Sequence, residues 1–178
     1  MKKIITFIIL FFLSTLGVGA EEKVISINTS SYTSINQKDC VTLDSDNIGS
    51  VQECESFLDI GVKVIEGDIR QSIILTRNEK EYDLDFWSTV SPNFSSLGLN
   101  VEWRHEEGKP EKLKGMIVRF EVSDDYESIN KVSSYLVISK ITKDEICVVT
   151  KVFPQKEQHE IAREILDFTE ELPCLKKL

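Results

Sequence analysis

The sequence is poor in the residues on which most catalytic and nucleotide-binding motifs depend. Its 178 residues include two histidines, four cysteines and eight glycines. It has no glycine-rich loop to cradle a phosphate, no Gly-x-Ser-x-Gly motif for a serine nucleophile, and no Cys-x-x-Cys pair. These absences argue against nucleotide-dependent enzymes, serine hydrolases of that type and thiol oxidoreductases. We expect no cofactor and no metal ion.

Positive charge is also scarce. The chain has 21 Lys and Arg against 30 Asp and Glu, a formal net charge of −9. Its first twenty residues hold two lysines and no acid, so the remainder carries a net charge of −11. Nucleic acids and anionic membrane surfaces both require a basic face. We therefore expect neither as a partner.

Long apolar runs are confined to the N-terminus. Met1-Lys2-Lys3 is followed by the apolar stretch 4–13 and by small residues that end at Ala20. This is the pattern of a secretory signal peptide spanning residues 1–20. The alternative is an uncleaved anchor helix, which the shortness of the stretch disfavours because a membrane span needs about 20 apolar residues. We expect a periplasmic or secreted protein without a stable membrane span in the mature chain.

The four cysteines suit that compartment. Cys40, Cys54, Cys147 and Cys174 all follow the predicted signal peptide. An even number of cysteines in an exported chain predicts disulfides, and three connectivities are possible. We favour Cys40–Cys54 and Cys147–Cys174, which join neighbours along the chain. A zinc site is the weaker alternative because the ligand spacing of such sites is missing.

Beyond a polar lead-in over Glu21–Asp39, which reads as irregular or as an edge strand, the hydrophobic pattern has the period of strands. Met116, Val118, Phe120 and Val122 alternate with polar positions and should share one face. The predicted strands are Cys40–Leu43, Gly61–Gly67, Ser72–Thr76, Glu81–Trp87, Leu99–His105, Met116–Val122, Tyr135–Ile138 and Ile146–Val149.

The period changes near the C-terminus. Ile161, Ile165, Phe168 and Leu172 recur at helical spacing, with Ala162 and Leu166 widening the stripe, and Pro173 should end the helix. The prediction is therefore an α+β fold: an antiparallel sheet of about six to eight strands, covered by one C-terminal helix. Because the chain contains no linker or repeat, we expect one domain over residues 21–178, held by the two disulfides.

Two segments invite comparison with metal sites. His159-Glu160-Ile161-Ala162-Arg163 begins like the His-Glu-x-x-His motif of zinc peptidases, but Arg163 takes the place of the second ligand. We interpret that segment as a solvated helix face. The stretch from Asp44 to Glu55 nearly matches the spacing of a calcium loop, yet Ile48 stands at a ligand position. We interpret it as an acidic loop inside the first disulfide, with a weak calcium site as the alternative.

One polar constellation remains as a candidate ligand-binding site. It consists of Asp68, Arg70, Glu102, Arg104 and Arg119. Two arginines on one sheet face can bind a carboxylate or phosphate through paired N–H donors. The alternative is a structural ladder in which the arginines pair with Asp68 and Glu102.

The order of these residues resembles a group of uncharacterised small exported proteins of alphaproteobacteria. The resemblance implies an envelope location and shared disulfides, and it implies no activity. It rests on this pattern: Cys40…Cys54…Gly61…Asp68-x-Arg70…Glu102-Trp103-Arg104…Ile117-x-Arg119…Cys147…Ala162-Arg163…Cys174.

The function that the sequence favours is an exported, non-enzymatic binding domain of the cell envelope. Its partner would be another envelope protein, or a small anionic ligand near Arg104 and Arg119. One alternative is an inhibitor of an extracellular hydrolase such as lysozyme, since an acidic domain can be steered to a basic enzyme. Another is an envelope hydrolase that uses Glu102 with Arg104 and Arg119.

Overall fold

A ten-stranded sheet and one C-terminal helix make up most of the computed structural model, which describes residues 27–125, 128–168 and 172–176. The predicted signal peptide lies outside the described residues. The strands are β1 (Asn28–Ser34), β2 (Val41–Ser45), β3 (Gly49–Phe57), β4 (Ile60–Gly67), β5 (Arg70–Arg77), β6 (Lys80–Asp83), β7 (Ser95–Glu106), β8 (Lys109–Asp125), β9 (Ser128–Ile141) and β10 (Ile146–Val152). The helices are a short 3-10 turn (Gln37–Asp39), α1 (Phe86–Thr89) and α2 (Gln158–Asp167).

The strand order is β10-β9-β8-β7-β5-β4-β3-β2, with β1 paired to β7 and β6 paired to β5. Neighbouring strands are antiparallel except at β5 and β7, which share one parallel bridge between Arg70 and Ser95. The prediction of an antiparallel sheet of about six to eight strands is therefore partly wrong, because the sheet has ten strands and one of its bridges is parallel. The parallel bridge arises because α1 and its flanking loops carry the chain from β6 back to the start of β5, where β7 joins the same edge of β5 that β6 occupies further along.

Strands β1 and β3 account for the difference between the eight strands predicted and the ten that the sheet contains. The polar lead-in contains β1, which pairs with β7 along its whole length. The segment expected as an acidic loop contains β3, which forms a hairpin with β2. Asp46 builds the turn of that hairpin, because its Oδ1 accepts hydrogen bonds from the backbone N–H groups of Ile48 and Gly49. A further correction concerns Phe86 and Trp87, which begin α1 and do not extend β6.

The main hydrophobic core lies on the inner face of the sheet. The predicted alternation in β8 is confirmed, since Met116, Val118, Phe120 and Val122 all point into this core. On β7, Val101 and Trp103 join them, and both are fully buried. Burying such large apolar side chains contributes about 1.5–3 kcal/mol of folding free energy each. A shift of one residue in strand register would turn them towards solvent, so this face also fixes the register.

Helix α2 covers the outer face of the sheet. Its Ala162 and Leu166 are fully buried against a second cluster that includes Ile117 and Leu136. The predicted stripe is confirmed except at Phe168: Ile161, Ile165 and Leu172 also pack against this cluster, whereas the helix ends at Asp167 and Phe168 is exposed. A Cβ on Gly115 would lie 2.1 Å from the Ser139 carbonyl oxygen and 2.8 Å from the Leu166 side chain, so a glycine is required where the helix crosses β8.

The disulfides join Cys40 to Cys54 and Cys147 to Cys174, which is the expected connectivity. The first links the residue before β2 to β3. The second links β10 to the segment that follows α2, and the Leu175 N–H also donates to the Val148 carbonyl there. Within the described ranges, no helix has both the length and the apolar composition needed to cross a membrane.

Candidate functional site

The candidate residues on β7 and β8 project from the outer face, where α2 packs. The register sets them in successive rows: Arg104 pairs with Gly115, Glu102 pairs with Ile117, and Arg119 lies two residues further along β8. Because Val101 and Trp103 point into the core, the period of two places Glu102 and Arg104 on the opposite face. This part of the predicted constellation is brought together by the fold.

Helix α2 presents three polar side chains to those rows, spaced four residues apart. Four residues of an α-helix rise about 6 Å, and two residues of a strand rise about 6.6 Å. The two repeats match closely enough for one helix face to meet three successive rows. The resulting pairs are His159 with Arg119, Arg163 with Glu102, and Asp167 with Arg104.

Arg104 is neutralised by the helix. Its Nε and Nη2 donate to the two carboxylate oxygens of Asp167 at 2.7 and 2.8 Å. A bidentate pair of this kind uses the planar fork of the guanidinium and is among the stronger side-chain contacts. Arg104 therefore serves to hold α2 on the sheet, and its charge is matched by Asp167 without a ligand.

Glu102 lies beneath the same helix with its side chain only 4% exposed. Its Oε1 accepts from the Nε of Arg163 at 2.5 Å and from the Ser30 hydroxyl at 2.7 Å. Burial alone would raise the pKa of Glu102, but the Arg163 and Ser30 hydrogen bonds outweigh it and lower the pKa below its usual value. Glu102 is thus held as a carboxylate, which disfavours a role as a general acid.

Arg119 differs from Glu102 and Arg104 because it has no direct ionic partner within the described part of the chain. Its Nη1 donates to the Ser134 hydroxyl at 2.5 Å, which donates in turn to Glu121 Oε1 at 2.8 Å, and its Nη2 donates to Nε2 of His159 at 2.8 Å. A guanidinium can only donate, so Nε2 is an acceptor and the neutral ring carries its proton on Nδ1. That Nδ1 is buried, has no hydrogen-bond partner, and faces the Glu102 carboxylate at 3.7 Å.

A small cavity of about 170 Å3 opens beside Arg119. Its polar wall is formed by Arg119, His159 and Glu102, and its apolar wall includes Leu99 and Leu136. Gly98 of β7 faces Arg119 so closely that a Cβ there would lie 2.8 Å from the Arg119 Cβ. The glycine therefore leaves the space in which the arginine side chain crosses towards the helix.

Asp68 and Arg70 do not belong to this group. They lie at the turn between β4 and β5, where Arg70 Nη1 donates to Asp68 Oδ2 at 2.7 Å. Arg70 Nε donates to the Pro92 carbonyl, and its guanidinium stacks over Phe94. The expected ladder of Arg104 and Arg119 with Asp68 and Glu102 is therefore wrong in its partners, since the arginines contact side chains of α2.

The interpretation of residues 159–163 as a solvated helix face is only partly right: Glu160 is exposed, whereas His159 and Arg163 bond to the sheet while keeping 44% and 31% of their side chains exposed. The sequence does carry a signal for this polar contact between the helix and the sheet. His159, Arg163 and Asp167 repeat every four residues beside the buried Ala162 and Leu166, which places a polar stripe along the edge of the packed face.

The described residues offer no convincing metal centre. The one group with suitable spacing is Glu145 with Cys147 and Cys174. Both of its sulfur atoms are committed to a disulfide and are not thiolate ligands. The Asp46 carboxylate, from the calcium-loop alternative, is occupied by two backbone N–H groups of its own turn.

Comparison with known proteins gives no family model, no curated protein and no solved structure that matches this chain.

Proposed function

We propose that the protein is an exported, non-enzymatic binding domain of the periplasm or the extracellular space, and that the cavity beside Arg119 takes a small anionic ligand. The observation that carries this proposal is that Arg119 has no direct ionic partner in the part of the chain that the structure describes. Across the described ranges, no carboxylate lies within ion-pair distance of its guanidinium. Two disulfides suit an oxidising compartment.

The charge balance of the helix–sheet contact supports this reasoning. Glu102 is matched by Arg163, and Arg104 is matched by Asp167. His159 accepts a hydrogen bond from Arg119 and so adds no positive charge of its own there. Arg119 reaches a carboxylate only indirectly, because the Ser134 hydroxyl that accepts from it donates in turn to Glu121 Oε1 at 2.8 Å. Of the three arginines in this contact, Arg119 alone lacks a direct ionic partner among the described residues, and an anion in the cavity would supply one.

The shape of the cavity limits the size of that anion. A volume of about 170 Å3 equals roughly five or six water molecules at about 30 Å3 each. A carboxylate attached to a short apolar chain fits this description, with the charge at Arg119 and the chain against Leu99, Ile117 and Leu136. Arginine binds carboxylates well because its two N–H donors match the two oxygens.

Binding is better supported than hydrolysis. A hydrolase built on Glu102 would need that carboxylate to exchange protons with a substrate. Both Glu102 oxygens already contact Arg163, and Ser30 takes a further position on Oε1. The geometry thus favours Glu102 as the residue that positions α2, and Arg119 as the residue that meets the ligand.

Isothermal titration of the mature protein with butyrate and with neutral butyramide tests the proposal. We expect butyrate to bind with a dissociation constant on the order of 1 mM, about −4 kcal/mol, and butyramide to give no saturable heat. Arg119→Met should abolish butyrate binding, whereas Arg70→Met, which removes an arginine from a distant turn, should retain it. Equal binding of the two ligands, or unchanged binding by Arg119→Met, would refute the proposal.

A further inference from the structure

A second cavity lies on the other side of the sheet, near the start of β7. Its volume is about 260 Å3. The loop before the 3-10 turn and the first residues of β7 close it on one side, and the ends of β3, β4 and β5 form its floor. Gly98 and Leu99 border both this cavity and the one beside Arg119. The two cavities are nevertheless lined by different polar groups.

The strand register explains why this end of the inner face is polar. Ser50, Glu66 and Gln71 pair across β3, β4 and β5, so they form one row. The next row towards the core contains Gln52 beside Val64. Residues two apart on a strand share a face, and Gln52 therefore lies between the polar row and the apolar interior.

Gln52 is the informative residue of this cavity. It is only 5% exposed, and it lines the cavity. Within residues 27–125, 128–168 and 172–176, its side-chain amide makes no hydrogen bond to the protein. Its Oε1 and Nε2 are not among the fully enclosed polar atoms that lack a partner, so they stay open to the cavity and can bond to a group that enters it.

The remaining polar groups that line the cavity are neutral, except for the Glu66 carboxylate. Gln71 is already engaged, because its Oε1 accepts from the Leu97 N–H at 2.7 Å and its Nε2 donates to Glu66. Gln37, Ser50 and Ser96 add further amide and hydroxyl groups. No lysine, arginine or histidine lines the cavity, and a lone carboxylate that already accepts a hydrogen bond is a poor site for a cation.

From this donor and acceptor set we propose that the cavity binds a neutral polyhydroxylated molecule of the size of one sugar ring. A primary amide carries a donor nitrogen and an acceptor oxygen on the same carbonyl carbon. This pair is the complement of two neighbouring hydroxyl groups. Ile35, Val64 and Leu97 supply an apolar wall for the C–H surface of the ring. The cavity volume corresponds to eight or nine waters at about 30 Å3 each, and a single ring displaces most of them.

The direct test is a titration of 15N-labelled mature protein with glucose and with N-acetylglucosamine, followed through the side-chain amide signals of Gln52. We expect a saturable shift of these signals with at least one of the two sugars. Acetate should leave them unchanged, because this cavity lacks the cation that the Arg119 cavity has. If neither sugar shifts the Gln52 signals in a saturable way, the cavity holds water only and the proposal fails.

A pair of variants makes the test specific. Gln52→Leu should change the melting temperature little, because the amide makes no hydrogen bond to the described part of the protein, and it should weaken sugar binding roughly tenfold or more. Gln155→Leu, at an exposed glutamine elsewhere in the chain, should leave binding unchanged. Sugar binding that survives in Gln52→Leu would overturn the proposal, and should that variant not fold, Gln52→Met supplies the same comparison. Arg119→Met should bind sugar normally, which separates this site from the anion site.

Discussion

The ion pair between Arg104 and Asp167 should contribute measurably to stability, and the protein contains a matched pair for comparison. The side chains of Arg104 and Asp167 are 13% and 19% exposed and share two hydrogen bonds. Breaking a fully buried pair costs about 3–5 kcal/mol, whereas an exposed pair contributes about 0–1 kcal/mol. Because the burial of this pair is intermediate, we expect Asp167→Asn or Arg104→Met to lower the free energy of unfolding by about 2 kcal/mol. For a domain of this size, that loss lowers the melting temperature by about 4–8 °C.

A double-mutant cycle measured by urea unfolding separates the pair from the two individual side chains. We expect a coupling energy of about 1–2 kcal/mol between Arg104→Met and Asp167→Asn at neutral pH. The control is the Arg70–Asp68 pair, whose side chains are 27% and 70% exposed and whose coupling should stay below about 0.5 kcal/mol. If the two cycles give the same coupling energy, the inference that these rows anchor α2 is incorrect.

Three further predictions concern the same architecture. Replacing Cys147 and Cys174 by serine opens a loop of 27 residues and should lower the free energy of unfolding by about 3.5 kcal/mol, as measured by urea unfolding of the oxidised protein and the variant. Gly115→Ala should lower the melting temperature by overpacking at a cost of about 1–3 kcal/mol, whereas Gly67→Ala, where a Cβ meets nothing within 4 Å, should leave it nearly unchanged. Because the pKa of Glu102 is lowered in the folded protein, its contribution to stability is present above the ordinary glutamate pKa of about 4.3 and is lost as the pH falls below it. The stability difference between the wild type and Glu102→Gln should therefore shrink between about pH 5 and pH 3; a difference that grows on acidification would contradict the sign.

The sequence predicts the fold best where a strand has one apolar and one polar face. Strand β8 is an example: its alternation places Met116 and Phe120 correctly, although the strand is longer than its apolar part. Strand β3 escapes prediction because its inner face mixes Gln52 with Cys54 and its outer face is acidic, so no period of two is visible in hydrophobicity alone. Its place in the sheet depends on pairing with β2 and β4, which is non-local information.

The apolar stripe of the C-terminal helix is predicted correctly except at Phe168. The spacing of Ile161 and Ile165, widened by Ala162 and Leu166, indicates a helix, and all four pack against the sheet. Phe168 continues the same spacing, but the helix ends at Asp167 and Phe168 is exposed. Hydrophobic spacing alone does not show where the chain leaves the sheet.

The candidate site shows how two periods must be combined before charged residues can be interpreted. Taken separately, Glu102 and Arg104 form an alternating strand pattern, and Arg163 and Asp167 form an ordinary helical pattern of opposite charge. When the four-residue helical repeat is laid along the two-residue strand repeat, negative meets positive in two successive rows, as the contacts of Arg163 and Asp167 show. The third row sets Arg119 against a histidine, and Arg119 reaches the Glu121 carboxylate only through the Ser134 hydroxyl. This row therefore departs from the direct ion pairing of the other two, and it is the row at which the proposed anion would bind.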